Sequence, residues 1–188
     1  MAPDTDASLT AREDAELMGR VQAGDEAAFA ALMERWELPV KAVIARIVLN
    51  ASEAEELAQE TFVRVWQHRG QFQAGKPVKP WLLGIAVNLA RNRLRWWKRR
   101  PTVSLEEWTE PPVARNGDSP MENAERVQAV RDAIALLPLD LREALVLFEY
   151  EHMSYAEIAQ TVGATVKAIE NRIARARDRL RPLLKPML

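Results

Sequence analysis

The sequence predicts an all-α protein of two small helical units joined by a flexible acidic linker. Three observations carry that prediction. Apolar residues recur at spacings of three and four, while glycines number only 7 and aromatics only 6% of the 188 residues, too few for an aromatic-rich β-sandwich. The run Pro101–Pro120, PTVSLEEWTEPPVARNGDSP, carries four prolines and no helical periodicity. Beyond it, Ser154–Leu184 reads as a short helix, a glycine turn and a longer helix. The implied boundaries are a disordered lead over 1–12, a helical domain over 13–100, the linker over 101–120 and a second helical domain over 121–188.

Composition narrows the functions. Lys and Arg total 26 against 27 Asp and Glu, so a nucleic-acid site must come from uneven placement of charge. The absence of cysteine removes disulfides, thiolate catalysis and Cys-based zinc sites, and fits a reducing compartment. The acidic start MAPDTDASLTAREDAE does not read as a signal peptide. No apolar run approaches the roughly 20 residues that span a bilayer. A cytoplasmic protein without direct membrane insertion is expected.

The elements follow in order. Asp14–Ala23 is a short amphipathic helix with Leu17, Met18 and Val21 inward, broken at Gly24. Asp25 can cap the next helix, whose stripes are Phe29, Leu32, Met33 and Trp36, then Val40, Val43, Ile44, Ile47 and Val48. Pro39 should kink or split it.

Glu53–His68, EAEELAQETFVRVWQH, has an ordinary buried face of Ala54, Leu57, Ala58, Thr61 and Val65. Phe62, Val63 and Trp66 widen the apolar surface, to be covered by a neighbouring helix or by a partner protein. Glu55, Glu56, Gln59 and Glu60 rim it, which suits a basic partner. Gly70–Pro80, GQFQAGKPVKP, is a loop made basic by Lys76 and Lys79.

Trp81–Arg100, WLLGIAVNLARNRLRWWKRR, has an apolar stripe of Leu82, Ile85, Leu89 and Trp96. Asn88, Arg91, Arg95 and Lys98 lie on another face, and Arg93, Arg99 and Arg100 add charge. A nucleic-acid backbone would find a phosphate track here, with the Asn88 amide able to reach a base. Trp96 and Trp97 either stack on an unpaired base or pack against the bundle. A solvated helix end with cations near its C-terminus fits the same residues.

After the linker come a helix over Met121–Leu137, ended by Pro138, and another over Leu139–Glu151. Ser154 and Glu157 form a capping-box pattern, Gly163 can take the left-handed turn, and Thr165 can cap the last helix. Val166, Ile169, Ile173, Ala176 and Leu180 share one face of that helix. Lys167, Asn171, Ala174, Arg175 and Asp178 point away from it, flanked by Glu170, Arg172 and Arg177. Amides and guanidinium groups so arranged can meet base edges and phosphates in a major groove. A helical hairpin with a solvated outer face fits the pattern as well.

No P-loop, dinucleotide fingerprint or nucleophile elbow occurs, and His68 and His152 lack metal-ligand spacing. The expectation is a protein with no catalytic residue, metal, cofactor or small-molecule substrate.

The ordered combination of SEAEELAQETFVRVWQ, WLLGIAVNLARNRLRWWKRR and LPLDLREALVLFEYEHMSYAEIAQTVGATVKAIENRIARARDRLR resembles the bacterial extracytoplasmic-function sigma factors. The resemblance runs from about Asp14 to Leu184. It implies that residues 13–100 are sigma region two. That region would bind the clamp helices of the largest RNA polymerase subunit through Glu56, Gln59, Glu60, Phe62, Val63 and Trp66. The Phe72–Pro80 loop, with Phe72, Lys76 and Lys79, would capture a flipped non-template base of the minus-ten element. Asn88, Arg91, Asn92 and Arg95 would touch the edge of that element. The acidic linker would thread toward the polymerase active centre and RNA exit path. Residues 121–188 would be region four, reading the minus-thirty-five element of promoter DNA with Lys167, Glu170, Asn171, Arg172 and Arg175. An anti-sigma factor is the implied inhibitor.

Two departures bear on promoter choice. Ala168-Ile169-Glu170-Asn171-Arg172 stands where the family often has Thr-Val-Lys-Ser-Arg, and a carboxylate at 170 accepts from cytosine N4 but repels phosphate. The loop QAGKPVKP is more basic and proline-rich than usual. Two other functions fit parts of the sequence. A sigma-like decoy that sequesters an anti-sigma factor would not need the cations at 91, 95 and 175. A dimeric helix-turn-helix repressor leaves the Glu53–Trp66 surface and the linker unexplained.

Overall fold

The computed structural model describes residues 4–99 and 120–185. Among them are eight α-helices, one 3-10 turn and no strand. The chain divides into two compact units, Met1–Val48 with Ser52–Ser104, and Leu49–Ala51 with Leu105–Leu188. The linker expected over 101–120 lies outside the described residues, apart from Pro120, which opens a helix.

The first unit contains α1 (Asp4–Gln22), α2 (Glu26–Val48), α3 (Ala51–His68), the turn Arg69–Gln71 and α4 (Val78–Arg99). The first helix begins ten residues before the expected Asp14, inside the stretch taken for a disordered lead. Its Met18 and Val21 are fully buried, as are Leu32 and Val40 of α2. Gly24, at φ 89°, breaks the chain, and Asp25 caps α2 by accepting from the Ala28 backbone N–H at 3.0 Å. That bond, with the Arg20 guanidinium at 2.7 Å, lowers the Asp25 carboxyl from its ordinary range.

Pro39 does not split α2, which runs unbroken to Val48. Trp36, Val40, Val43, Ile44 and Ile47 form one buried stripe across it, so packing on both sides holds the helix over the missing hydrogen bond. The fourth helix starts at Val78, inside the expected loop, and leaves a shorter loop over Phe72–Pro77. Its buried residues are Val78, Pro80, Leu82, Leu83, Ala86, Val87 and Ala90, not the expected stripe through Ile85, Leu89 and Trp96. This helix packs against α2 and α1, and its small Ala86 and Ala90 are fully buried.

The second unit contains α5 (Pro120–Ala135), α6 (Leu139–Glu149), α7 (Tyr155–Val162) and α8 (Val166–Leu184). Ala133, Ile134, Leu137, Leu141, Leu145, Ala176 and Leu180 form one buried cluster. Arg142 Nη2 donates to the carbonyls of Ala135 at 2.6 Å and Leu137 at 3.1 Å, closing the end of α5. Burial there lowers the Arg142 guanidinium from its ordinary value.

Candidate nucleic-acid interface

The helix-turn-helix is built from local signals. Ser154 Oγ accepts from the Glu157 N–H at 3.3 Å, and Glu157 Oε2 accepts from the Ser154 N–H at 2.8 Å, a complete capping box. Gly163 ends α7 at φ 68°, the left-handed conformation that a side chain would strain. Thr165 Oγ1 accepts from the Ala168 N–H at 3.2 Å and starts α8. Ile169, Ile173, Ala176 and Leu180 are buried, whereas Val166, expected on that face, is 49% exposed in the first turn.

The outer face of α8 holds Lys167, Asn171 and Arg175, all exposed. Two further candidates engage partners within the unit. Glu170 accepts from Lys167 Nζ at 2.9 Å, so the anionic position is paired with a cation on its own helix. Arg172 is turned toward Asp140 of α6, Nε to Oδ2 3.7 Å, with its side chain 27% exposed. Arg177 donates to Glu149 at 2.8 Å and lies over Phe148, pinning α8 to the end of α6.

In the first unit, Asn88, Asn92 and Arg95 are exposed on one side of α4, with Arg91 half-buried beside them. Around the helix from this face, Leu89, Asn92, Arg93, Trp96 and Trp97 form one wall of a groove of about 590 Å³. Glu53, Leu57, Glu60 and Arg64 of α3 form the other wall. Arg93 bridges the walls. It pairs with Glu53 and lies 3.6 Å from Glu56. The sequence counted Arg93 only as added charge on α4; its place in the fold is between two helices.

The α3 candidates separate. Glu56, Gln59 and Val63 are exposed, Val63 at 53%, and Glu60 is held by Arg64 at 2.8 Å. Trp66 is half-buried, its ring 5.0 Å from that of Phe29 and covered by the Arg69 guanidinium at 4.3 Å. Phe62 is 2% exposed and belongs to the core, so it has no surface to offer a partner. The loop corrects a second aromatic. Phe72 is 5% exposed and packs edge-on against Trp81 at 5.3 Å, so it anchors the loop and is closed to a base. Lys76 is exposed on the loop, while Lys79 sits in α4 with its ammonium 5.9 Å from the Trp36 ring.

Sequence reasoning missed Gln22 and Asp14. The Gln22 amide donates to the carbonyls of Arg69 at 3.1 Å and Phe72 at 2.8 Å. No local signal points there, because the acceptors are backbone atoms 47 and 50 residues away. Asp14, buried, accepts from Arg35 at 2.9 Å and Trp36 at 3.0 Å.

An all-helical chain with a polar, cationic face on α4 and a capped helix-turn-helix in a separate unit is a DNA-binding protein of the helix-turn-helix class. The comparisons narrow this. Residues 32–100 match the model of sigma-70 region 2, and residues 127–180 match that of sigma-70 region 4. The chain is 34% identical over 190 residues to the RNA polymerase sigma-H factor of Pseudomonas aeruginosa, covering 96% of this chain and 98% of that one. It is 32% identical over 184 residues to the ECF RNA polymerase sigma-E factor of Escherichia coli K12, covering 93% and 96%. Among solved structures it resembles CnrH in complex with the cytosolic domain of CnrY, at TM-score 0.70, 27% identity and coverage of 93% and 98%. It also resembles the sigma factor RpoE in complex with the anti-sigma factor NepR from Bartonella quintana, at TM-score 0.68, 28% identity and coverage of 84% and 96%. The chain belongs to the extracytoplasmic-function group of RNA polymerase sigma factors.

Proposed function

We propose that the chain carries out the sigma function through three separate surfaces, as a non-enzymatic cytoplasmic subunit that acts with the polymerase core and then dissociates. On α3, the outer residues Glu56, Gln59 and Val63, flanked by Glu60 and Trp66, meet the clamp helices of the largest core subunit. The Phe72–Pro77 loop receives an unpaired base of the minus-ten element, with Lys76 at hand for its phosphate. Extracting a base costs a few kcal/mol, which pocket contacts and the cationic α4 face offset. Asn88, Arg91, Asn92 and Arg95 hold the adjoining backbone and base edges. On α8, Lys167, Asn171 and Arg175 enter the major groove of the minus-thirty-five element, with Glu170 and Arg172 at the flanks. Before that, an anti-sigma protein holds the chain inactive, by analogy with the CnrY and NepR complexes of the structural neighbours.

The observation that carries this reading is the sorting of charge. In a chain of net charge −1, exposed amides stand beside exposed cations on one face of α4, at Asn88, Asn92 and Arg95, and on the outer face of α8, at Lys167, Asn171 and Arg175. No helix among the described residues is long and apolar enough to cross a membrane.

The test mixes purified protein with sigma-free bacterial core polymerase and a library of promoter-length DNA, and sequences the transcripts. Discrete starts sharing two upstream motifs are expected. Folded protein, free of inhibitor, that does not bind core would overturn the reading. Core binding without specific starts would favour a sigma-like decoy that sequesters an anti-sigma factor without binding promoters.

A further inference from the structure

We infer that Gln22 is the positioning residue of the base-receiving loop, an inference that rests on the loop's proposed role. Gln22 is the last residue of α1, far in sequence from the loop it touches. Its Nε2 donates to Phe72 O at 2.8 Å and to Arg69 O at 3.1 Å. A primary amide has two N–H bonds, so both are spent on these carbonyls. The 3-10 turn between them is short, and the backbone bond from Phe72 N to Arg69 O at 3.2 Å closes it. Gln22 therefore staples both ends of the turn from which the loop departs.

Direction follows from this staple. The Phe72 ring is fixed in the core against Trp81, and the Phe72 carbonyl is fixed by Gln22. With ring and carbonyl both held, the plane of the peptide joining Phe72 to Gln73 is set, because a peptide unit is rigid. The next five residues, Gln73 to Pro77, are all exposed. They are closed by the bond from Lys76 N to Gln73 O at 3.1 Å and by Gly75 at φ 82°. A tight turn with exposed edges, launched from a fixed peptide plane, is a preorganised receptor. Without the staple its tip would sample several orientations, and binding would have to select among them. The half-buried amide of α1 thus reaches the DNA through the loop, without touching DNA itself.

The experiment uses the full chain in reconstituted holoenzyme and a promoter library randomised at both elements. Base enrichment is read separately at each. Gln22→Met keeps length and bulk but has no donor. It should lower the enrichment ratio at the minus-ten element about tenfold, as expected for loss of hydrogen bonds that hold one conformation. Core affinity and enrichment at the minus-thirty-five element should not change. Gln22→Lys, which still donates, should restore selection, and Gln22→Glu, which does not donate at neutral pH, should fail to. This last pair decides the matter should the Met variant not fold. A Met variant that selects like wild type, or one that loses both elements together, would overturn the inference. A wild-type holoenzyme with no preference at the minus-ten element would instead overturn the loop's role.

Discussion

Asp14 gives the sharpest test of how the first unit is held together. Its side chain is 4% exposed, with Oδ1 accepting from Arg35 Nη1 at 2.9 Å and Oδ2 from Trp36 Nε1 at 3.0 Å. In Asp14→Ala, Arg35 keeps Glu13 at 2.8 Å and reaches water, but the indole N–H, on a ring only 7% exposed, has lost its acceptor. An orphaned buried donor costs about 1–3 kcal/mol, and relief of the buried carboxylate offsets part of that. A net loss of about 1–2 kcal/mol at neutral pH is expected, lowering the melting temperature by about 4–8 °C per kcal/mol in a unit of this size. Five of the six tryptophans, at 36, 66, 81, 96 and 97, lie in the first unit, so fluorescence-detected urea unfolding follows it. In a Trp36→Phe background, the same substitution should cost about 1 kcal/mol less. Acid sharpens the test. Burial raises the Asp14 carboxyl above its ordinary 3.8, outweighing the lowering pull of Arg35 and Trp36. Between 3.8 and that raised value the folded chain holds a proton that the unfolded chain has released. This group therefore adds stability as pH falls through the window and withdraws it as pH rises. The gap between wild type and Asp14→Ala should widen on acidification. A gap that closes in acid, or no loss at pH 7, would refute the balance of forces assigned here.

Four further outcomes follow from backbone geometry and exposed charge. Gly163→Ala forces a Cβ into a left-handed residue and should destabilise the second unit by about 1 kcal/mol, whereas Gly19→Ala, in open space in the last turn of α1, should stabilise the first by about 0.5 kcal/mol; thermal unfolding reads both. His152, exposed at φ 51°, carries the same strain in reverse, so His152→Gly should raise stability in urea unfolding by about 0.5–1 kcal/mol. Arg175→Ala should cut holoenzyme use of the upstream element about tenfold in competition transcription, and should lower the salt slope by about 1 if its contact is a phosphate.

The parts legible in the sequence were those specified by neighbours in the chain. Ser154, Glu157, Gly163 and Thr165 announce the helix-turn-helix because cap and turn chemistry acts over a few residues. The buried faces of α3 and α8 followed from spacing, but the widths of those faces did not. Phe62 lies on the apolar side of α3, and only the packed unit shows that the core extends that far while Val63, the next residue, stays outside. The stripe of α4 was displaced for a related reason. Periodicity favoured its large residues Leu89 and Trp96, whereas the face that the packed unit buries includes the small Ala86 and Ala90. Long-range polar contacts were invisible. Asp14 to Trp36 joins two helices, and Gln22 binds carbonyls whose positions no side-chain pattern encodes.

The placement of charge explains how a chain without basic excess can still choose promoters. Several cations are engaged inside the protein: Arg93 with Glu53 and Glu56, Arg172 with Asp140, Arg177 with Glu149, Lys167 with Glu170. Each such pair lowers the net charge that a phosphate backbone meets. Since non-specific affinity grows with the number of phosphates neutralised, the free chain should bind duplex DNA weakly and with a shallow salt dependence. Two weak faces become selective once one body holds both, because the second contact is then made at high effective concentration. Core polymerase is that body under the proposed function. Under that function, exposed residues such as Asn88, Asn171 and Arg175 discriminate by hydrogen bonding to bases, where extra lysines would only add uniform attraction.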